Sequence, residues 1–189
     1  MTNGFMIARS FRDPAGTARW LLGYDFGRGT LAAMVTLVTI LSVLLLELNV
    51  LLSPPEAEIL RLTPFTLCVI LGASLMMMVF AIQLTGQMLG GHGRFGSALL
   101  LIVWWQAMAL VIQVAQTVAM LILPPVAGLL TLAGLVWLVF ALLHLVNVLH
   151  GFDSLPKALA TVAIGLVGIS FGLALLLTMV GVTLQGGTP

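Results

Sequence analysis

Charge is what this sequence lacks most. Only 7% of its 189 residues are Asp, Glu, Lys or Arg, while 61% are hydrophobic; a soluble domain carries about 25% charged residues. With a mean hydropathy of +1.21, the chain must have lipid as its solvent. High hydrophobicity with little charge also excludes ordinary disorder. Seven basic residues against six acidic leave a net charge of +1, so the electrostatic basis for binding nucleic acid is missing and none is expected as a partner. A single cysteine, Cys68, excludes an internal disulfide and a cysteine-based zinc or iron–sulfur site. Nucleophile elbow, phosphate loop, paired-carboxylate site and zinc-protease helix are all missing too. The expectation is a non-enzymatic protein without metal or cofactor.

What is present is long apolar runs. A helix rises about 1.5 Å per residue and needs about 20 apolar residues to cross a bilayer. Five stretches qualify, at about 30–52, 64–89, 97–123, 126–149 and 157–184. The fold class is therefore all-α: a polytopic membrane protein of five transmembrane helices over 29–189, preceded by a short segment, 1–28. Pro124 and Pro125 divide what would otherwise be one overlong run, so spans three and four form a tight hairpin. Ser53, Pro54 and Pro55 end span one, and Glu56, Glu58 and Arg61 make the next loop a solvated one.

Basic residues flanking spans stay on the cytoplasmic side. With the N-terminus inside, that side collects Arg9, Arg12, Arg19, Arg28, Arg94 and Lys157, and only Arg61 lies outside. This gives N-in, C-out, with the tail Gln185 to Pro189 outside. The first 28 residues have no continuous apolar core, so span one is expected to be a retained anchor.

Asp13 before Pro14 is a helix start, with an N-cap and a proline at the first helical position. Ala15, Ala18, Leu21 and Leu22 fall near one face, Arg12 and Arg19 reach headgroups, and Trp20 and Tyr24 suit an interface. The expectation over residues 13–24 is an interfacial amphipathic helix.

Polar groups inside spans are few. Glu47 sits near the outer end of span one, and with no Asp, Lys or Arg deep in a span it has no relay partner. Gln83 and Gln87 share a face of span two, as do Gln106 and Gln113 in span three, with Gln116 nearby. These predict a polar seam between spans two and three, whose ordinary role is to join helices. His144, Asn147 and His150, spaced by three, line one face at the inner end of span four; a metal is clasped best at i, i+4, so this spacing favours hydrogen-bonded or interfacial roles. Gly86 and Gly90, and Gly168 and Gly172, have the spacing of close helix packing. Met76, Met77 and Met78 are adaptable packing.

Three stretches together resemble the Yip1-domain family: Asp13-Pro14 with Trp20; Gly90-Gly91-His92-Gly93-Arg94-Phe95; and His150-Gly151 with Ser154 and Lys157-Ala158. The five-span, N-in pattern is similar as well. The resemblance implies a polytopic protein without a known catalytic centre. Eukaryotic members are associated with Rab-type GTPases and early secretory membranes; the short segment before span one resembles compact bacterial members instead, so GTPase binding is not carried over.

The first expectation is thus a protein that acts through partners, as a self-associating unit or an accessory subunit of a larger membrane assembly. The first rival is a small transporter or channel using the glutamine seam; the second is a haem- or pigment-binding subunit through His144. The orientation has a direct test. In a background lacking Cys68, Ser154→Cys should resist an impermeant thiol reagent added to intact cells, while Thr188→Cys should label; labelling of Ser154→Cys would overturn the five-span, N-in topology.

Overall fold

A computed structural model of the chain describes residues 3–52 and 62–179. All its elements there are helices: α1 (Asn3–Arg12), α2 (Pro14–Leu22), α3 (Arg28–Leu52), α4 (Pro64–Met88), α5 (Phe95–Ile122), α6 (Pro124–His150) and α7 (Leu155–Met179). Five of them, α3 to α7, are long and apolar enough to cross a membrane. Helices α3 to α6 begin and end within two residues of the boundaries expected for spans one to four. The proposed loop around Pro54, Glu56, Glu58 and Arg61, the continuation of span five to 184 and the tail lie outside the described residues.

Helix starts follow from local chemistry. Thr63 accepts a hydrogen bond from the Thr66 N–H at 3.2 Å, with Pro64 in the first turn of α4, where a missing N–H leaves nothing unsatisfied. Pro124 and Pro125 likewise occupy the first turn of α6, and Leu123 alone separates it from α5. The proline pair therefore turns the chain by starting a helix. Gly134 then lets α6 approach α5 closely, since a methyl there would fall 2.6 Å from Ile112.

Helix α5 is the centre of the bundle, touching α2, α3, α4 and α6. Half of its most apolar window is buried, against 17–22% for the other four long helices. The packed residues are concentrated in its first half, from Ala98 to Val103, and in the last part of α6, from Ala141 to His150. Towards the Pro124 end both helices are largely exposed. The bundle is thus tight at the end that carries Arg94 and Lys157, here called the basic end.

The segment before α3 departs from expectation. Asp13 does cap α2, its carboxylate accepting from the Gly16 N–H at 2.7 Å. Yet Ala18 is 0% and Leu21 4% exposed because α2 packs on α6 and α5; its apolar face is covered by protein where lipid had been expected. The preceding residues, for which no element was expected, form α1. Trp104 donates its indole N–H to the Ser10 hydroxyl at 3.3 Å, and Trp137 donates to the Phe11 carbonyl at 3.1 Å with the Phe11 ring 4.4 Å away. Trp137 is roughly 20 Å along α6 from His150 at 1.5 Å per residue, so the α1–α2 pair reaches from the basic end to about the middle of the bundle. Trp20 packs against the core and the Tyr24 ring. Sequence periodicity identified the buried face of α2 but had no means of naming its neighbour.

The Asp13 cap gives a quantitative expectation. Asp13→Ala should lower stability by about 1 kcal/mol, read as a lower melting temperature of the purified protein in detergent, with the helical signal at low temperature retained.

Candidate functional site: a histidine in a glycine cradle

At the basic end, α4 and α6 finish with the same device. Gly90 adopts φ +85°, the Gly91 N–H donates to the Gly86 carbonyl at 2.8 Å and the Gly90 N–H to that of Gln87 at 3.0 Å. Gly151 adopts φ +63°, with Phe152 donating to Asn147 at 3.2 Å and Gly151 to Val148 at 3.3 Å. Both are Schellman caps, whose left-handed position favours glycine. Two of the motif glycines are explained by this alone. Asp153, at φ 49°, continues the turn in the same region, which aspartate tolerates better than most residues.

The last residue of α6 is the centre of the site. His150 is 1% exposed. Its Nδ1 lies 3.2 Å from the Gly93 backbone nitrogen, and its Nε2 lies 3.2 Å from the Ile82 carbonyl oxygen. A backbone N–H has only a donor role, so Nδ1 accepts; a carbonyl only accepts, so Nε2 carries the proton and donates. Both partners are satisfied together only by the neutral Nε2–H tautomer. The His92 N–H adds a bond to the His150 carbonyl at 3.3 Å, and the Phe152 ring stacks on the imidazole with centroids 5.1 Å apart.

Three glycines make room for the ring. A methyl at Gly86, Gly91 or Gly93 would come under 3.0 Å from the His150 side chain, closer than packed atoms tolerate. Gly86 lies one turn beyond Ile82 on α4 and opens the path by which Nε2 reaches the carbonyl. The Gly90 to Arg94 loop and the His150-Gly151 turn, far apart in sequence, are therefore two halves of one joint. Gln87 closes it by donating to the Gly93 carbonyl at 3.0 Å.

The other polar residues near this joint bind helices together. Asn147 accepts from the Ser154 N–H at 3.1 Å, fixing the turn into α7. The Thr85 hydroxyl lies 2.6 Å from its own-helix Ala81 carbonyl and 3.2 Å from the Thr161 carbonyl of α7. Arg94 and Lys157, in contrast, are exposed.

Several expected groupings are redrawn. His144, Asn147 and His150 do not share a site: the His144 Nδ1 is 2.9 Å from the Phe140 carbonyl with its ring 4.2 Å from that of Phe140, while Asn147 faces the 151–154 turn and His150 points to α4. A spacing of three drifts around a helix, and here the drift separates them. The glutamine seam between spans two and three is not formed. Gln83 and Gln87 border a groove of about 380 Å³ between α4 and α7. Gln106 binds the Ser42 hydroxyl of α3 at 3.3 Å, and Gln113 joins Gln106, Gln116, Asn49 and Thr117 along a cavity bordered by α3, α5, α6 and Leu71 of α4. Each pair shares a helix face as expected, but the two faces point to different neighbours. Of the packing glycines, Gly172 meets Met77, whereas Gly168 has nothing within 4 Å and Gly90 serves as a cap. Glu47 is half-buried in the second half of α3.

Sequence reasoning found the glycines and His150 as motif members and missed that they touch. The usable signal was the excess of glycine on both sides of His92, more than one turn requires.

The family model of the Yip1 domain matches residues 8–184. No curated protein and no solved structure matches the chain.

The cradle has a thermodynamic signature. Gly86→Ala should destabilise the protein by about 1–3 kcal/mol through overpacking against the imidazole. In a His150→Ala background the same change should be neutral or stabilising, because alanine is the better helix former by about 1 kcal/mol. A double-mutant cycle on thermal stability in detergent reads the difference; additive effects would place the ring elsewhere.

Proposed function

The chain belongs to the Yip1-domain family, and from that premise we propose that it is a non-enzymatic membrane protein acting through protein partners at its basic end. The supporting observation is the division of labour there. His150, Gln87, Asn147 and Thr85 are held in bonds between chain segments, so the groups best suited to chemistry serve to hold a surface in shape. Arg94 and Lys157 stand exposed on that surface, one starting α5 and the other in the first turn of α7. A rigid joint with cations at its rim is suited to recognition, since little ordering entropy is lost when a partner binds.

In this reading the basic end faces the cytoplasm and the chain lies in a bacterial inner membrane, in keeping with the distribution of its arginines and lysine. The α1–α2 pair, lying along the bundle with Arg9, Arg12 and Arg19 exposed, adds cations that attract anionic headgroups. The partner is another membrane protein or a second copy of the chain.

Recovery of native partners separates this reading from one in which the cations only set topology. Arg94→Lys keeps the charge and removes the planar guanidinium, so membrane insertion should be unchanged while a protein partner copurifies several-fold less from native membranes. If Arg94→Lys and Lys157→Arg leave every copurifying protein at its original level, the proposed surface is wrong.

A further inference from the structure

The middle of the bundle is hollow, from the level of Ile82 and Leu159 near the joint to that of Leu71 and Ile169. A cavity of about 620 Å³ lies among all five long helices, with Ser42 from α3, Met78 from α4, Gln106 from α5, Leu142 from α6 and Leu166 from α7 on its wall. This falls within the ~300–1,000 Å³ of ordinary ligand sites. Among the described residues the wall is apolar apart from Thr39, Ser42, Ser74 and Gln106, and none of them is charged. A second chamber of about 560 Å³ shares Ser42, Leu71 and Gln106 with the first and continues past Asn49, Gln113, Gln116 and Thr117 towards the Pro124 end. Among the described residues it too has no charged wall residue. One chamber is therefore suited to hydrocarbon and the other to uncharged polar groups, and Gln106 stands where they meet.

The hydrogen bonds fix how Gln106 is turned. The Ser42 hydroxyl donates its one proton to the Val38 carbonyl at 2.7 Å. Its 3.3 Å contact with Gln106 must then be an N–H donation from the glutamine amide. That commits Nε2 to α3 and leaves the amide oxygen Oε1 as the acceptor at the junction. The Ser74 hydroxyl is committed in the same way, to the Ile70 carbonyl at 2.7 Å. An amide oxygen beside an apolar chamber can accept from a ligand that brings its own donor.

We propose that the two chambers bind a single-chain, uncharged lipid with a hydroxylated head, of the monoacylglycerol class, its chain among Met78, Leu142 and Leu166 and a head hydroxyl donating to Gln106. Charge is disfavoured because, among the described residues, neither wall offers a counter-ion, and an unpaired ion in such surroundings is costly. The chain is favoured because an apolar void in lipid is filled by hydrocarbon and excludes water. The head is favoured because the wall beyond Gln106 is the more polar one, with Asn49, Gln113, Gln116 and Thr117 along it. This inference rests on the cavity and stands independently of the partner surface at the basic end.

The test uses the full chain in phospholipid nanodiscs with a monoacylglycerol carrying a photoreactive diazirine in its chain, cross-linked peptides being mapped by mass spectrometry. Labels should fall on cavity residues such as Met78 and Leu142. Unlabelled monoolein should compete about fivefold better than methyl oleate, which has no hydroxyl, as expected for one neutral hydrogen bond. Gln106→Leu should remove that preference and leave the competition by methyl oleate unchanged. Ser74→Phe fills the apolar chamber and removes only a hydroxyl bonded to its own helix, so it should reduce cavity labelling at least fivefold. Melting curves of both variants confirm that they fold, and should either fail to fold the other carries the test. Labels confined to lipid-facing residues such as Val167 and Phe171, or equal competition by monoolein and methyl oleate in the native chain, would overturn the proposal.

Discussion

A neutral imidazole that accepts at one nitrogen and donates at the other holds this bundle together at one end. Through it the end of α6 is bonded to Gly93 near the end of the α4–α5 loop and to a carbonyl in α4. Buried polar groups without partners are costly in a water-free setting, and here one side chain satisfies a loop N–H that no helix could reach. The geometry leaves little freedom. Gly86, Gly91 and Gly93 must lack side chains for the ring to fit, and Gly90 and Gly151 must be left-handed for the two chain ends to meet around it. A glycine-rich loop on its own would be flexible; clasped by His150 it becomes a fixed surface from which Arg94 projects.

The parts legible in the sequence were those set by local rules. Asp13-Pro14 marked a helix start because a residue without an N–H fits the first turn, Pro124 and Pro125 marked a break between two spans, and five apolar runs of sufficient length could form only membrane-spanning helices. The parts not legible were those set by which helix lies beside which. Periodicity put Gln83 with Gln87 and Gln106 with Gln113 on common faces, but whether two faces meet depends on rotations of whole helices that no spacing encodes. The actual partners are Ser42 on α3 for Gln106 and the Gly93 carbonyl for Gln87. The same limitation hid the joint itself: His150 and Gly93 are 57 residues apart, and each has a self-sufficient local explanation as a helix end or a turn.

The α1–α2 pair shows how an amphipathic pattern misleads in a membrane protein. An apolar stripe beside arginines fits a lipid surface and a groove between two helices equally well, because both offer hydrocarbon. What distinguishes the groove is hydrogen bonding from its walls. Trp104 and Trp137 donate their indole N–H groups to Ser10 and Phe11, and a tryptophan buried against a bundle needs such a partner. These indoles, in the middle of otherwise apolar spans, are the residues from which docking of the preceding segment follows.

Tight packing at the basic end and cavities from the middle of the bundle onward have one origin in the physics of the bilayer. Helices in lipid gain little from hiding apolar surface from one another, so they close only where shape and hydrogen bonds favour contact. At the basic end those conditions are met by the histidine joint, the Thr85 bond to α7 and the helices docked on α5 and α6. Beyond Gln106 the links between helices thin to Gln106 with Ser42, Thr117 with Asn49 and Gln116 with Leu130, and the space between them stays open. In water such voids would draw the helices together; in a membrane they are filled by chains of the surrounding solvent. A bundle clamped at one end therefore keeps its cavities without losing its fold, and the rigid surface and the lipid-accessible interior follow from the same joint.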